Sequence, residues 1–452
     1  MTLLKSQQRD MTAGSPGRII IEFALPVFLG NVFQEFYSMV DTIIVGKFVG
    51  TNALAAVGST GMINFLVFGF VWGMTAGFAV PVGQRFGAGD MKSLRQCVGT
   101  SVYTAMLLSA VLTFVSCLSM RSLMVLLHTP QDIFKDAYSY IMIVCGGLAA
   151  TVLYNMTSYT LRAIGNSRTP LVFLILSAML NILLDLLFVI TFRMGVAGAA
   201  YATVISQAIS GFACLFYIIR RVPLLRLSRD DLKFRRDLAV RQLYIGLPMA
   251  LQFSITAIGA LMVQAALNML GTLYVAAYTA AGKIESLVTQ MFGAQGATMA
   301  AYCAQNTGAR KTDRIRQGIH ASDIQSFLYA AAVGVLMITL GGHMTGLFIS
   351  DRLEEVVPLV NTYLLCSAPF YIPLAIIFIY RNAMQGMGCV FVPMAGGVVE
   401  LIARAVMSVV AANLHSYVGV CLAGSVAWAA AAAWLLCGYA WTMKRKKKSF
   451  SI

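Results

Sequence analysis

Five carboxylic acids lie deep inside apolar runs of this 452-residue chain: Glu35, Asp41, Asp185, Glu285 and Glu400. An ionisable side chain in such a run is costly to bury and marks a functional site by default: an ion path, a proton relay or a contact to a charged ligand. Two of the five share a depth. Asp41 is 22 residues past the start of the first apolar run and Asp185 is 17 past Arg168, so at about 1.5 Å per residue both fall in the outer half of a bilayer. Asn181 stands one turn before Asp185 on the same helix face, and Tyr37 and Ser38 stack below Asp41. Two acids at one depth with polar neighbours suit a proton or a sodium ion, because a carboxyl group desolvated beside a second acid is able to load and release a proton near neutral pH. The structural alternative is that each Asp caps a broken helix or bonds a neighbour.

The other acids read differently. Glu400 and Arg404 are spaced i, i+4, which predicts an intrahelical ion pair. Glu285 falls near mid-membrane with Lys283 off its face, and two roles stand open for it: pairing with Arg404 across helices, or contacting a cationic substrate. Glu35 lies about 120° around the helix from Asp41 and serves another contact. Gln34, Tyr37, Asn155, Gln252 and Gln264 are the polar groups left within spans, and with Glu285 they are the candidate lining of a substrate cavity. The 25 Met, 26 Phe and 18 Tyr suit an adaptable cavity, although most such residues face lipid or core in any bundle. Pro26 precedes Asp41 on one predicted helix and marks a hinge, since proline removes a backbone hydrogen bond and permits a kink.

The elements that must position these groups are membrane spans. The chain is 59% hydrophobic and 11% charged, with a mean hydropathy of +0.77, against about a quarter charged in soluble domains. That excludes a soluble globular protein. Apolar runs predict spans at 19–46, 53–83, 94–120, 133–161, 169–191 and 196–219, then 242–270, 273–304, 317–348, 357–381, 391–413 and 416–442. The first run, about 28 residues with acids in it, reads as a transmembrane helix and not as a cleaved signal peptide. Of 33 basic residues, 26 fall in one alternating set of connections, Arg381 among them, five fall in the other set, and Lys283 and Arg404 lie within spans. This asymmetry puts both termini in the cytoplasm. It also accounts for the +15 net charge without nucleic acid. The nine cysteines lie mostly in apolar runs and read as small core residues, not as a disulfide framework or a metal site.

The halves repeat. Gly50-Thr51 through Gly61 matches Gly271-Thr272 through Gly282 with five identities in twelve, and Gln84 to Ala88 meets Gln305 to Ala309, both at an offset of 221. Leu25-Pro26 pairs with Leu247-Pro248, Tyr140 with Tyr363, and Ala163-Ile164-Gly165 with Gly386-Met387-Gly388. Six spans per repeat make the repeats parallel about an axis along the membrane normal, a plan that binds substrate between halves and works by rocking them. The predicted organisation is a cytoplasmic segment at 1–18, an N-lobe at 19–219, a basic connector at 220–241, a C-lobe at 242–442 and a basic tail at 443–452. At the repeat offset Asn181 maps to Arg404 and Asp185 to Ser408, so the C-lobe holds no copy of the acidic site.

This collinear pattern resembles the multidrug and toxic compound extrusion (MATE) family, prokaryotic type. The residues that carry it are Pro26 to Asn31 followed by Asp41-Thr42 and Val45-Gly46; the inner-loop Gln-x-x-Gly-Ala signature at Gln84 and Gln305; and Arg162-Ala163-Ile164-Gly165 with Pro170, leading to Asn181 and Asp185. The resemblance implies an all-α membrane protein of 12 helices in two six-helix repeats around a central cavity. It also implies ion coupling at Asp41 and Asp185 with Asn181 and Thr203, the coupling ion being H+ or Na+, and Tyr37, stacked below Asp41, joins that site. Some members carry C-lobe acids in spans seven and ten, and those spans have none here.

Enzyme readings fail. Gly87-Ala88-Gly89-Asp90 matches the GxGD string of intramembrane aspartyl proteases, but it sits in a charged loop and lacks a Tyr-Asp partner; Gly282-Lys283 lacks the rest of a phosphate loop. With no ATPase motif and no cofactor implied, export draws on an ion gradient or the membrane potential. The expectation is therefore a monomeric antiporter in a prokaryotic inner membrane, exporting small organic cations or drugs by rocker-switch alternating access. The alternative is a flippase for a lipid-linked precursor.

Overall fold

The computed structural model describes residues 8–127, 129–347 and 353–450, with side chains beyond Lys444 left aside. The first seven residues of the predicted N-terminal segment, Arg352 and most basic side chains of the tail lie outside the described residues. Among the described residues there is no strand; the elements are α1 (Pro16–Phe48), α2 (Thr51–Ser59), α3 (Gly61–Gly87), α4 (Met91–Leu126), α5 (Gln131–Gly146), α6 (Leu148–Ala163), α7 (Arg168–Asp185), α8 (Gly195–Arg221), α9 (Arg236–Asn268), α10 (Thr272–Gly308), α11 (Thr312–Met344), α12 (Leu353–Ser367), α13 (Tyr371–Gly386), α14 (Phe391–Asn413) and α15 (Tyr417–Phe450). Among the described residues ten helices or joined helix pairs are long and apolar enough to cross a membrane, and α5 with α6, bent by 48° at Gly147, makes an eleventh. The expected eighth span corresponds to α10, whose 37 residues carry Lys283 and Glu285 and which is not among those ten.

Three expected spans are interrupted. The run 53–83 breaks at Thr60, 133–161 breaks at Gly147, and 357–381 breaks at a short 3-10 turn, Ala368–Phe370. The last two are spans four and ten, which occupy the same place in the two repeats. Arg381, assigned above to a loop, lies inside α13, because that helix runs on to Gly386.

The repeat is visible in the backbone. Left-handed residues fall at Gly50 and Gly271 (φ 121° and 111°), at Gly89 and Arg310 (72° and 58°), and at Gly165 and Gly388 (84° and 80°), each pair at its repeat offset. Glycine has no Cβ and takes these angles freely. At Gly165 the constraint is doubled, since a side chain there would also strike the carbonyl of Arg9.

The chain divides into two compact units, with boundaries inside α1 and α9 and a third ahead of α1. Among the described residues one unit holds 8–10 and Leu29–Ala250, the other Met11–Phe28 and the chain from Leu251 onward. The expected lobes, 19–219 and 242–442, thus exchange the first halves of α1 and α9. Sequence accounts for the second exchange: Gly73 and Gly77 of α3 lie so close to the backbone of Met249–Ala250 and Gly246 that no side chain fits between, as small residues permit between membrane helices. Gln242 adds polar ties to α4, donating to the Cys97 carbonyl (3.0 Å) and Ser101 Oγ (2.7 Å) and accepting from Thr104 (3.0 Å).

The two signature glutamines serve this arrangement. In its unit, Gln305 Oε1 accepts from the backbone of Met11 (2.9 Å), while Lys311 and Arg314 reach the carbonyls of Thr12 and Gly14 (2.9 Å each). In the other unit, Gln84 Oε1 accepts from Arg241 Nη2 of α9 (2.9 Å). Each glutamine therefore fixes the approach to a first helix.

The paired turns yield a test. An L-residue in the left-handed region costs roughly 1–2 kcal/mol, so Arg310→Gly is expected to raise stability and Gly89→Ala to lower it, each by about 1 kcal/mol. Thermal melting of the purified variants should show shifts of opposite sign; shifts of the same sign would refute the shared turn geometry.

Candidate functional site

The first half of the chain builds its polar centre from α1, α5, α7 and α8. Asp185 is the last residue of α7 before a π-helical turn, Leu186–Thr191, the kind of local irregularity that often accompanies functional positions. Its side chain is fully buried, and Asn181, one turn earlier, is 2% exposed. Asn181 Nδ2 points to Thr203 Oγ1 of α8 at 3.5 Å, and Thr203 donates to the Ala199 carbonyl at 3.1 Å. Asp41, part-buried on α1, brings its carboxyl within hydrogen-bond reach of that of Asp185. The structure thus gathers the predicted Asp41, Asp185, Asn181 and Thr203 in one place, with Tyr37 in electrostatic range of Asp41.

What this centre can do follows from its donors and acceptors. Four buried oxygens, Asp41 Oδ1, Asn181 Oδ1 and both of Asp185, accept no hydrogen bond. Two ionised carboxylates are acceptors only, so a bond between them requires a proton, and a small hard cation is the other group that oxygen ligands of this kind suit. The residues present fit either one.

Tyr140 of α5 was not singled out as a site residue. It is buried and within electrostatic range of Asp41, Asp185 and Tyr37. Its one signal in the sequence was its repeat partner, Tyr363, and that partner also meets a buried acid: Tyr363 Oη donates to Glu285 Oε2 at 2.6 Å. Ser367 and Tyr371, on either side of the break in span ten, lie near the same carboxyl, though neither hydroxyl bonds it. Of the two roles open to Glu285, pairing with Arg404 is not what the structure shows.

Arg404 has other company. Its Nη2 bonds Glu400 Oε1 at 2.9 Å, the predicted intrahelical pair, and Arg381 Nη2 takes the second oxygen at 3.0 Å. All three side chains are at most 14% exposed. Gln252 is buried beside Gln385 and Arg381, and with its amide oxygen turned to Arg381 it accepts from that guanidinium. The other polar candidates stand apart: Asn155 donates to the Thr151 carbonyl and Gln264 to Asn268 Oδ1, both at 2.8 Å one turn along their own helices, while Gln34 and Glu35 are part-buried on α1.

Fold and site together define a polytopic helical membrane transporter built from two repeats. The chain belongs to the MatE family, whose model matches residues 26–187 and again 246–410. The two matched stretches start 220 residues apart and end 223 apart, the same drift as the repeat offsets above. Among curated relatives it is 27% identical to the probable multidrug resistance protein YpnP of Bacillus subtilis, over 84% of each chain. It is 24% identical to an FAD transporter of Shewanella oneidensis, over 89% of this chain and 88% of that one. Its fold matches, at 20% identity, a solved outward-facing multidrug resistance MATE transporter (TM-score 0.91, 98% and 99% of the two chains) and a MATE structure in a bent conformation (TM-score 0.91, 99% and 100%).

Removing the acid from a buried cluster of two guanidiniums and one carboxylate leaves uncompensated charge, which costs roughly 3–5 kcal/mol. Glu400→Gln should therefore lower the thermal stability of the purified protein sharply, and an unchanged melting temperature would show that Glu400 does not hold the two arginines.

Proposed function

We propose that this chain is a cation-coupled efflux antiporter, with Asp41 and Asp185 taking H+ or Na+ and the reorientation of the two lobes by a rocker switch releasing a small organic cation on the outer side. The observation that carries the proposal is the Asp41–Asp185–Asn181 cluster, four buried acceptor oxygens gathered in one half of the chain and absent by sequence from the other. Na+ or H+ is ligand enough for the site, and no organic cofactor enters the proposal. The family supports efflux as the activity, and several of its relatives are named for multidrug resistance. Inward movement of one charge supplies about 2.3 kcal/mol per 100 mV. The 26 basic residues on one side support a cytoplasmic placement of both termini in a prokaryotic inner membrane, and the chain acts as a monomer.

Pro26 supports the hinge. It lies inside α1 two residues before the boundary between compact units, and Pro248 holds the same position in α9. Each helix is thus weakened, by the loss of one backbone hydrogen bond, close to where it passes from one unit to the other.

A second reading is export of an anionic, diphosphate-bearing cargo, whether the lipid-linked precursor of a flippase or FAD, which a relative carries. Arg381 and Arg404 against a single Glu400 favour it. Glu285, the other buried acid of this half, bonds Tyr363 and not these arginines.

Dye efflux from everted vesicles tests both. Asp41→Asn and Asp185→Asn should each reduce gradient-driven efflux of a cationic dye by tenfold or more, as about 1.4 kcal/mol of lost coupling would produce, while leaving the fold intact. Undiminished efflux in both variants sinks the coupling site, and transport of FAD in preference to the dye selects the second reading.

A further inference from the structure

A recess of about 800 Å³ opens between α4, α6, α8 and the connector that follows α8. Its walls are aliphatic, with Val102, Met106, Leu153, Met156 and Ile219 among them, and its basic end is closed by Leu225, Arg226 and Leu227. All of these belong to one compact unit. The volume lies within the roughly 300–1,000 Å³ of ligand sites, while the exposed Val102, Met106 and Ile219 leave one side open to the bilayer.

The polar end is more specific than the walls. Arg226 donates from Nε to the Ile219 carbonyl (3.1 Å) and from Nη2 to that of Arg220 (3.2 Å), which caps α8 and holds the guanidinium at the mouth. Arg220, also lining the recess, lies over the Phe216 ring at 5.3 Å. Each guanidinium has five N–H donors, so both keep donors for a ligand. The acids of the connector are engaged elsewhere: Asp230 with Lys233 at 2.8 Å, and Asp231 with Ser228 and Arg95 at 2.7 and 3.4 Å. Tyr103 and Phe234, edge to face at 5.9 Å and both exposed, supply aromatic groups of the kind enriched at the membrane interface.

An apolar slot facing lipid, ending in two pinned arginines on the basic side, matches one occupant in charge and shape. We propose that this recess binds a single anionic phospholipid of the cytoplasmic leaflet, one acyl chain in the slot and the phosphate on Arg220 and Arg226. The leaflet follows from the orientation proposed above; the binding does not. Basic pockets between helices on this side are a recurrent way to hold such headgroups.

Native mass spectrometry of the full chain released from nanodiscs of equal phosphatidylglycerol and phosphatidylcholine tests the site. The wild type should retain one phosphatidylglycerol in about tenfold preference, and Arg220→Gln with Arg226→Gln should bring the ratio near one. Because Arg226 also caps a helix, Arg220→Gln alone is measured too and should lower the preference with no loss of fold. Ala149→Phe, which fills the slot, should reduce retention of either lipid. Equal retention of both lipids by the wild type, or an undiminished preference in the double variant, overturns the proposal. Retention is read without reference to sidedness, so a failed orientation, shown by cysteine labelling of the connector, is a separate result.

Discussion

In a hydrocarbon environment each buried polar atom needs a partner supplied by the protein itself, and most of this structure can be read as the answer to that demand. Gln242 is answered by α4, Gln305 by the backbone of Met11, Glu400 by two arginines and Glu285 by Tyr363. These ties also decide which helix packs with which, since the first halves of α1 and α9 join units other than the ones that hold the rest of their length. Some buried atoms have no such partner, Glu285 Oε1 and Arg404 Nε among them, and the oxygens of Asp41, Asn181 and Asp185 form a group of this kind. They are buried and close together, and among themselves they offer more acceptors than donors. A group able to enter and leave as a cation would balance them, which is why the proposed coupling is placed there.

The two repeats kept their backbone and diverged in their polar centres. Turns at Gly50 and Gly271, at Gly89 and Arg310 and at Gly165 and Gly388 have the same handedness, and spans four and ten break near the same point. A tyrosine at one repeat position, Tyr140 or Tyr363, meets a buried acid in each half, yet the acids come from different helices: α1 and α7 in one half, α10 in the other. Backbone geometry is constrained everywhere by the same packing, so it persists. A polar side chain is constrained only by its few partners and is able to change with them.

Much of this was legible in the sequence because the relevant signals are local. Asp41, Asn181 and Asp185 were found by depth and helical spacing, and both quantities hold in any straight helix. The pairing of Glu400 with Arg404 followed from i, i+4 spacing. Hydropathy passes over the interruptions, because Gly147 and Ala368–Phe370 sit in apolar runs, although Pro369 marks the second of them. Arg381 was read as a loop residue because a basic side chain at the edge of an apolar run looks like an orientation signal, and its partner Glu400 is on another helix. Tyr140 failed as a candidate for the same reason, since its partners lie about 100 and 45 residues away in sequence. Contacts between helices distant in the chain leave no periodic trace.

The asymmetry has a consequence for how such a transporter would respond to an ion gradient. Where the first half has Asn181, a neutral amide beside a titratable acid, the second half has Arg404, and where the first has Asp185 the second has Ser408. Arginine stays protonated throughout the physiological range, and Glu400 lies between two guanidiniums. The two guanidiniums therefore keep their charge whatever the gradient. A ligand shifts an equilibrium only by its differential affinity for the two states. In the proposed coupling, an ion bound at Asp41 and Asp185 would exert its bias through α1, the helix that holds Pro26 and belongs to both units.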